Sequence, residues 1–332
     1  MIHKFLNIRH SLRNLSDEEF NTLVPSLAHE LSTVSFHPHY TDAELKTDWM
    51  KLRKWIPNAD TISSTQRLGM KLCEYFFPNF YNIEDKKGVS FSSLWTPNNL
   101  EKVLRWNRKS HSTPYLSELK RGIYFNFGLP KSTMYRPQMA KMIVGNLRAE
   151  HVLDPCAGWG GRLLGTVATG AHYTAFEPNT ETYHNLLRLV DFLNVGNKVT
   201  LYHDSALNMD HYEIPNVDLI LTSPPYFDLE VYSREATQSI TGCTTYAMWV
   251  EQFLNPLVQK ALAKLVPNGW SCWNVHNVGK MHMIQDIAHM HEAYPAKKIF
   301  SVTSSKRQAN QQTEAKNQKN ADVTICYSRY FV

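Results

Sequence analysis

The sequence lacks the features that would take it out of the ordinary globular class. It has no uninterrupted apolar run of about 18 residues, so no membrane-spanning helix is expected. Its first residues, "MIHKFLNIRHSLRN", hold no apolar stretch long enough for a secretory signal. Cysteine is scarce: the five in 332 residues stand at 73, 156, 243, 272 and 326. None forms a Cys-x-x-Cys pair, which argues against a zinc site and fits a reducing, cytoplasmic setting. His282, His289 and His291 share one apolar-periodic segment but offer no i, i+4 pair, so packing or surface roles are expected rather than metal binding. Gly-x-Gly-x-x-Gly is missing, and so is Gly-Lys-Ser/Thr, which makes a dinucleotide fingerprint and a phosphate loop poor fits. There is no internal repeat.

What is present is globular: 43% hydrophobic, 20% charged and 12% aromatic. The length suits one large domain or two of ordinary size. Net charge is +5 but unevenly spread. Residues 1–150 carry 21 Lys and Arg against 14 Asp and Glu, whereas residues 151–332 carry 14 against 16. A basic half joined to a near-neutral half points to a polyanion partner.

From Val152 onward strand-like runs alternate with helical patterns. "HVLDP", "HYTAFEP", "KVTLYHD", "VDLILTS", "GWSCWNVHNV", "AKKIFSVTS" and "ADVTICYSRYFV" read as strands, with helical spacing in most of the gaps. This predicts an α/β domain with a mostly parallel sheet. The last two strands have no helix between them and are expected to pair antiparallel at an edge. Residues 305–320, "SKRQANQQTEAKNQKN", have almost no apolar content and carry Lys306 and Arg307. They read equally as a linker or as an arm for a polyanion. Before about residue 115 the patterns are helical, with Ser16 and Thr41 as N-caps and Pro97 in a first turn. A helical region at 1–115 is thus expected ahead of an α/β domain at 116–332.

"VLDPCAGWGGRLLG", residues 152–165, is a strand, an acid, a glycine-rich turn and a helix. Gly158, Gly160 and Gly161 let backbone approach a ligand at the carboxyl end of the first strand. Asp154, Glu177 and Asp204 end three consecutive strands. An acid at the second position suits ribose hydroxyls. Three carboxylates along one edge repel a pyrophosphate and suit a cation. A nucleoside bearing a cation and no phosphate describes S-adenosylmethionine.

"LDPCAGWGGRLLG…FEPN…HDSA…TSPPYFDLEVY" resembles the class I methyltransferases and, within them, the DNA amino-methyltransferases. The resemblance covers residues 130–332 and implies a Rossmann-like methyltransferase sheet with an antiparallel edge strand. It implies that Asp154 and the backbone of Cys156, Ala157, Gly158 and Gly160 face the methionine end. By the same resemblance Glu177, beside Pro178, takes the ribose, and Asp204, beside Ser205, takes the adenine amine. "MYRPQMAKMIV", residues 134–144, looks like the segment that closes over the cofactor, with Tyr135 or its neighbours covering the pocket.

The Ser-Pro-Pro-Tyr motif, Ser223, Pro224, Pro225 and Tyr226, follows the fourth strand. A base amine is a poor nucleophile because its lone pair is delocalised. Acceptors aimed at its protons favour the reactive nitrogen, and positioning aligns it. The Ser223 hydroxyl and the Pro224 carbonyl supply acceptors. Two prolines preset the loop, and proline brings no competing N–H. Tyr226 offers a ring to a base flipped from its stack. In the resembled family a Ser at position 223 goes most often with cytosine N4, and Asp or Asn with adenine N6.

DNA methylation at cytosine N4 is therefore the expected function, with adenine N6, an RNA base, or a non-catalytic nucleic-acid-binding protein of this fold as alternatives. The resemblance also allows a restriction partner, of which the sequence carries no sign. About 60 residues separate the cofactor motif from the catalytic one, too few for a recognition domain. Recognition then falls to the N-terminal region, the loop after Tyr226, or the 305–320 arm. In the N-terminal region Lys51, Arg53, Lys54, Arg105, Arg108 and Lys109 interleave with Trp49, Trp55 and Trp106. That pattern fits phosphate contact and base stacking, or equally an amphipathic helix with its Trp rings in the core.

Overall fold

Ser16 and Thr41 open the first two helices through reciprocal capping boxes. Glu19 N donates to Ser16 Oγ at 3.2 Å, and Ser16 N donates to the Glu19 carboxylate at 2.7 Å. Thr41 and Glu44 repeat the exchange at 3.3 and 2.9 Å. The computed structural model describes residues 12, 14–57, 59–111, 113, 115–129, 132–303 and 322–330.

Along the chain run α1 (Asp17–Ser32), α2 (Asp42–Lys54), β1 (Thr61–Ser63), α3 (Met70–Phe76), α4 (Phe91–Leu94), α5 (Pro97–Lys109), α6 (Leu116–Phe127) and α7 (Pro137–Asn146). The alternating part follows: β2 (His151–Asp154), α8 (Gly161–Val167), β3 (His172–Phe176), α9 (Thr180–Leu193), β4 (Val199–Tyr202) and β5 (Val217–Thr222). It ends with α10 (Tyr246–Trp249), α11 (Asn255–Ala263), β6 (Leu265–Asn274), α12 (Met283–Met290), β7 (Ala296–Thr303) and β8 (Asp322–Ser328). A π-turn, Val250–Leu254, joins α10 to α11.

The eight strands form one sheet in the order β1-β7-β8-β6-β5-β2-β3-β4. All pairings are parallel except those of β8, which runs antiparallel to both β6 and β7. This is a mostly parallel, doubly wound, Rossmann-like sheet. The antiparallel strand departs from expectation: β8 pairs with β7 as foreseen, but it lies inside the sheet and not at its edge. The edge beyond β7 is taken by β1, with Thr61–Ser63 in register with Ser301–Thr303. Three residues are too few to show a period of two, so this strand is invisible in a region that otherwise reads as helical.

Insertion of β8 sets Cys272 opposite Cys326, and the two are joined as a disulfide. Sequence spacing gave no hint of this pair, because 54 residues separate its members.

The chain forms two compact units, divided otherwise than at residue 115. The first holds the described part of Met1–His39, Pro78–Thr133 and Asp228–Ser233. Its core gathers Phe20, Val24, Leu31, Phe91, Leu104 and Ile123. The second holds Tyr40–Phe77, Met134–Phe227 and the described part of Arg234–Val332, and contains the whole sheet. Residues 40–77 belong with the sheet because they bring β1, and because Lys141 Nζ, buried on α7, donates to the terminal carbonyls of Leu52 and Arg53 in α2. Among the described residues, no helix is long and apolar enough to cross a membrane.

Candidate active site

The strand order reverses between β2 and β5. The chain moves from β2 outward through β3 and β4, then returns to the other side at β5. In such sheets ligands bind outside the carboxyl ends of the strands at this switch point. The glycine loop leaves β2 there, and the Ser-Pro-Pro-Tyr loop leaves β5. One hydrogen bond ties them: Thr222 Oγ1, one residue before Ser223, donates to Asp154 Oδ1 at 2.7 Å.

Asp154 is fully buried and crowded with donors. Arg162 Nε reaches Oδ2 at 2.6 Å, Tyr173 OH reaches the same oxygen at 2.6 Å, and Cys156 N reaches Oδ1 at 3.2 Å. The expected role of Asp154 toward a methionine end is therefore revised. With its lone pairs engaged by the protein, it organises the loop from beneath. Burial, and then the neighbouring carboxylate, hold the Tyr173 hydroxyl in its protonated, donating form.

Arg162, which no sequence motif marks, is the loop's other organiser. It donates to the carbonyls of Cys156 and Ala157, and its guanidinium lies 5.1 Å from the Tyr135 ring centre. Gly158 and Gly160 adopt φ of +59° and +73°, where a side chain would be strained. Gly161 is required for another reason: a Cβ there would meet the Tyr135 carbonyl oxygen at 1.9 Å. The 134–144 segment thus packs directly on the glycine loop. Tyr135 is buried, and its hydroxyl shares a 3.0 Å hydrogen bond with Thr324 Oγ1 on β8.

Glu177, ending β3, is also buried but less engaged. Gly158 N donates to Oε2 at 2.8 Å and Asn179 N to Oε1 at 2.9 Å. Each oxygen keeps acceptor capacity. Burial is the main influence on its carboxyl and raises the pKa to about 7. Pro178 follows it, exposed to an intermediate degree. Asp204 is half-buried beyond β4 and accepts from Ser205 N, Asn208 Nδ2 and Tyr212 OH at 2.7–3.0 Å. Cys156 carries a thiol that burial pushes up, away from a nucleophilic thiolate.

On the β5 side, Ser223 Oγ donates to Asn274 Oδ1 at 3.5 Å. Asn274 is fixed by its other end, since Nδ2 donates to Val323 O at 2.8 Å and to Thr324 Oγ1 at 3.4 Å. Pro224 is buried and Pro225 partly so. Tyr226 is 9% exposed, its hydroxyl accepts from His276 N at 3.1 Å, and its ring lies 5.0 Å from that of His276. The ring expected to stack on a base is thus packed against His276. The next residue, Phe227, has φ +36°, an uncommon value for a bulky residue. From Asp228 the chain belongs to the first unit, where Val231 bridges Glu84 and Tyr232 donates to Glu230.

The expected nucleic-acid residues separate. Lys51, Arg53 and Lys54 are exposed on the last turn of α2, in the second unit. Arg105, Arg108 and Lys109 lie on α5, in the first. Arg108 is spent on its own chain, donating to Leu12 O, Leu15 O and Asp17 Oδ1, with its guanidinium 4.5 Å from the Phe20 ring centre. Arg105 is held by Glu101 and Asn21. Trp49 is 7% exposed and belongs to the core. Lys306 and Arg307 lie outside the described residues. His291, buried between Ile287 O and Ser271 Oγ with a pKa lowered to about 4 by burial, is a packing residue.

No family model matches the chain, and no curated protein matches it. Among solved structures it is similar to an rRNA methylase from Streptococcus thermophilus at 12% identity, covering 60% of this chain and 100% of that one, with a TM-score of 0.39. TrmN from Thermus thermophilus shares 14% identity over 58% of this chain and 49% of its own, with a TM-score of 0.40. A SAM-dependent O-methyltransferase from Thermotoga maritima shares 10% identity over 67% and 74%, also at 0.40. Likeness at this level adds nothing to what the strand order already shows.

Proposed function

We propose that the chain is an S-adenosylmethionine-dependent methyltransferase acting on an exocyclic base amine in DNA. Cytosine N4 is the first choice, adenine N6 in DNA or an RNA base the alternatives. The observation that carries this reading is the Thr222–Asp154 hydrogen bond, which joins the Ser-Pro-Pro-Tyr loop to the glycine loop at the switch point.

The residues fit the cofactor by their chemistry. Glu177 keeps acceptor capacity on both oxygens, suited to the two hydroxyls of a ribose. Asp204 is suited to an amine. Arg162 is paired with Asp154, so this cation is engaged and not held out for a phosphate. When bound, S-adenosylmethionine supplies an electrophilic methyl group on a sulfonium.

Asn274 gives the catalytic loop its polarity. Because Nδ2 faces β8, Oδ1 is the atom turned to Ser223, and it accepts a hydrogen bond from the Ser223 hydroxyl. The Ser223 lone pairs are thereby left for a donor. A base amine is such a donor, and acceptors on its protons favour the pyramidal nitrogen that attacks. No thiol is needed, which agrees with the high-pKa setting of Cys156 and the absence of cysteine from residues 223–226.

Incubation with methyl-labelled cofactor and unmodified DNA or RNA, followed by nucleoside mass spectrometry, tests the reading. Label is expected on N4-methylcytosine. Label on N6-methyladenine overturns the base choice and keeps the mechanism. Label on 5-methylcytosine, or on protein alone, overturns the mechanism. Nucleic acid bound without transfer favours the non-catalytic alternative.

A further inference from the structure

The first unit carries a surface that the active-site reading does not use. Helices α5 and α6 pack so closely that a Cβ on Gly122 would meet Val103 Cγ1 at 2.5 Å. That approach brings Trp106 of α5 beside Phe125 of α6, with ring centres 5.1 Å apart and planes at 31°. Phe125 is 70% exposed, far more than its size and apolarity favour in a folded chain. Arg121, one turn earlier on α6, places its guanidinium 5.5 Å from the Trp106 ring centre. Lys102 and Lys109 flank Trp106 on α5 at i−4 and i+3, on the same helix face, and both are exposed. Lys102 Nζ also lies 5.8 Å from the Phe127 ring centre. Glu118 is the acid on this face, paired with Arg121 at 2.6 Å.

We propose that this face is a stacking platform for single-stranded nucleic acid. A solvated Phe ring on a face that also carries Lys102, Lys109 and the Glu118-paired Arg121 is unsuited to a purely apolar partner, which would have to desolvate the two lysines without pairing them. A single strand supplies both needs at once: unpaired bases for Phe125 and the Arg121 plane, and phosphates for the two lysines. A duplex offers the phosphates but keeps its bases stacked inside. The platform differs from the basic cluster expected from sequence. It keeps Lys109, drops Arg105 and Arg108, which the fold engages elsewhere, and adds Lys102, Arg121 and Phe125.

The inference rests on the proposed function for its choice of partner, but its test does not require turnover. The full-length chain is titrated against a fluorescein-labelled oligo-dT, an oligo-U and a DNA duplex of equal length, followed by anisotropy across a salt series. The wild-type chain should bind the single strands more tightly than the duplex. Phe125→Ala, a mostly solvated change outside the core, should weaken single-strand binding about tenfold and leave duplex binding unchanged, while Phe125→Trp preserves both. Lys102→Gln with Lys109→Gln should flatten the single-strand log–log salt slope by about 0.7 per lost contact.

Unchanged single-strand affinity in Phe125→Ala overturns the platform, and so does wild-type self-association that this substitution abolishes, which would assign the face to a protein. Binding that follows the predicted pattern in a chain that transfers no methyl group keeps the platform and overturns the transferase reading. Methyl transfer with binding indifferent to Phe125→Ala, Lys102→Gln and Lys109→Gln does the reverse.

Discussion

The loop that follows β2 and the loop that follows β5 leave neighbouring strands, but the protein treats them differently. In the first, four donors converge on one buried carboxylate, two glycines sit at positive φ, and Gly161 is pressed against the Tyr135 carbonyl. In the second, Ser223 is held by one long contact to Asn274, and a left-handed Phe227 begins the exit toward another unit. Saturated polar networks specify a single arrangement. In the second loop Pro224 and Tyr226 are buried, so the Ser223 hydroxyl, and not the loop backbone, is the lightly held part. On the proposed function, the crowded polar network lies on the cofactor side and the less engaged hydroxyl on the substrate side. On the same proposal, the Tyr226 ring that would receive a base is packed against His276 and not left in water.

The difference breaks most visibly at Arg162. Arg162→Ala leaves Asp154 buried beside Tyr173 and Thr222 with its cation gone, which should cost about 3–5 kcal/mol of stability. Urea denaturation measures this, and S-adenosylhomocysteine affinity should fall with it. Ser223→Ala in the other loop should shift stability by less than about 1 kcal/mol. A small effect at Arg162, or a comparable one at Ser223, would erase the contrast between the loops.

A second contrast lies in what each loop does to turnover. Ser223→Ala should lower the transfer rate about 100-fold, in the range of a lost transition-state contact, while S-adenosylhomocysteine binds as before. Asn274→Ala should lower it about tenfold, because the Ser223 hydroxyl becomes free to turn. If Asn274 acts through Ser223, the double variant is no slower than Ser223→Ala alone. Additive losses would separate the two residues and remove the polarity argument.

Much of this was visible in the sequence. Strand periods, helix spacing and both capping boxes are local, so Ser16 and Thr41 behave as read. The positions of Asp154, Glu177, Asp204 and Ser223 at strand ends followed from the same patterns. The work of Asp154 did not follow, because three of its four partners lie 8, 19 and 68 residues away and only the closed sheet brings them together. Strand β1 was too short to show a period, and the insertion of β8 between β6 and β7 depends on pairing across distant segments. Charge counts located a basic N-terminal half but did not show that Arg108 caps its own chain or that Trp49 is buried. The exposure of Phe125 is not legible in sequence, because it stands among Tyr124 and Phe127 in a run whose aromatic content alone reads as core.

The subtlest difference concerns protons. Asp154 is matched to Arg162, whereas Glu177 accepts from the backbone of Gly158 and Asn179, and burial lifts its pKa from the ordinary carboxylate range to about 7. A group whose folded pKa is raised contributes stability below its unfolded value and loses it as pH rises through the folded one. The ligand-free protein should therefore lose a Glu177-dependent part of its stability between about pH 4.5 and pH 7. A ribose diol donating to the carboxylate favours the ionised form, which gives ligand binding the opposite sign. S-adenosylhomocysteine affinity should rise about tenfold from pH 6 to pH 8 and then level, with a proton released on binding below pH 7. Calorimetry in buffers of different ionisation enthalpy reads that proton directly. Glu177→Gln should bind more weakly and lose the pH dependence, whatever else in the chain titrates. An affinity that is flat in wild type, or a slope that survives in Glu177→Gln, would take the ribose away from Glu177 and leave the cofactor loop organised around some other acceptor.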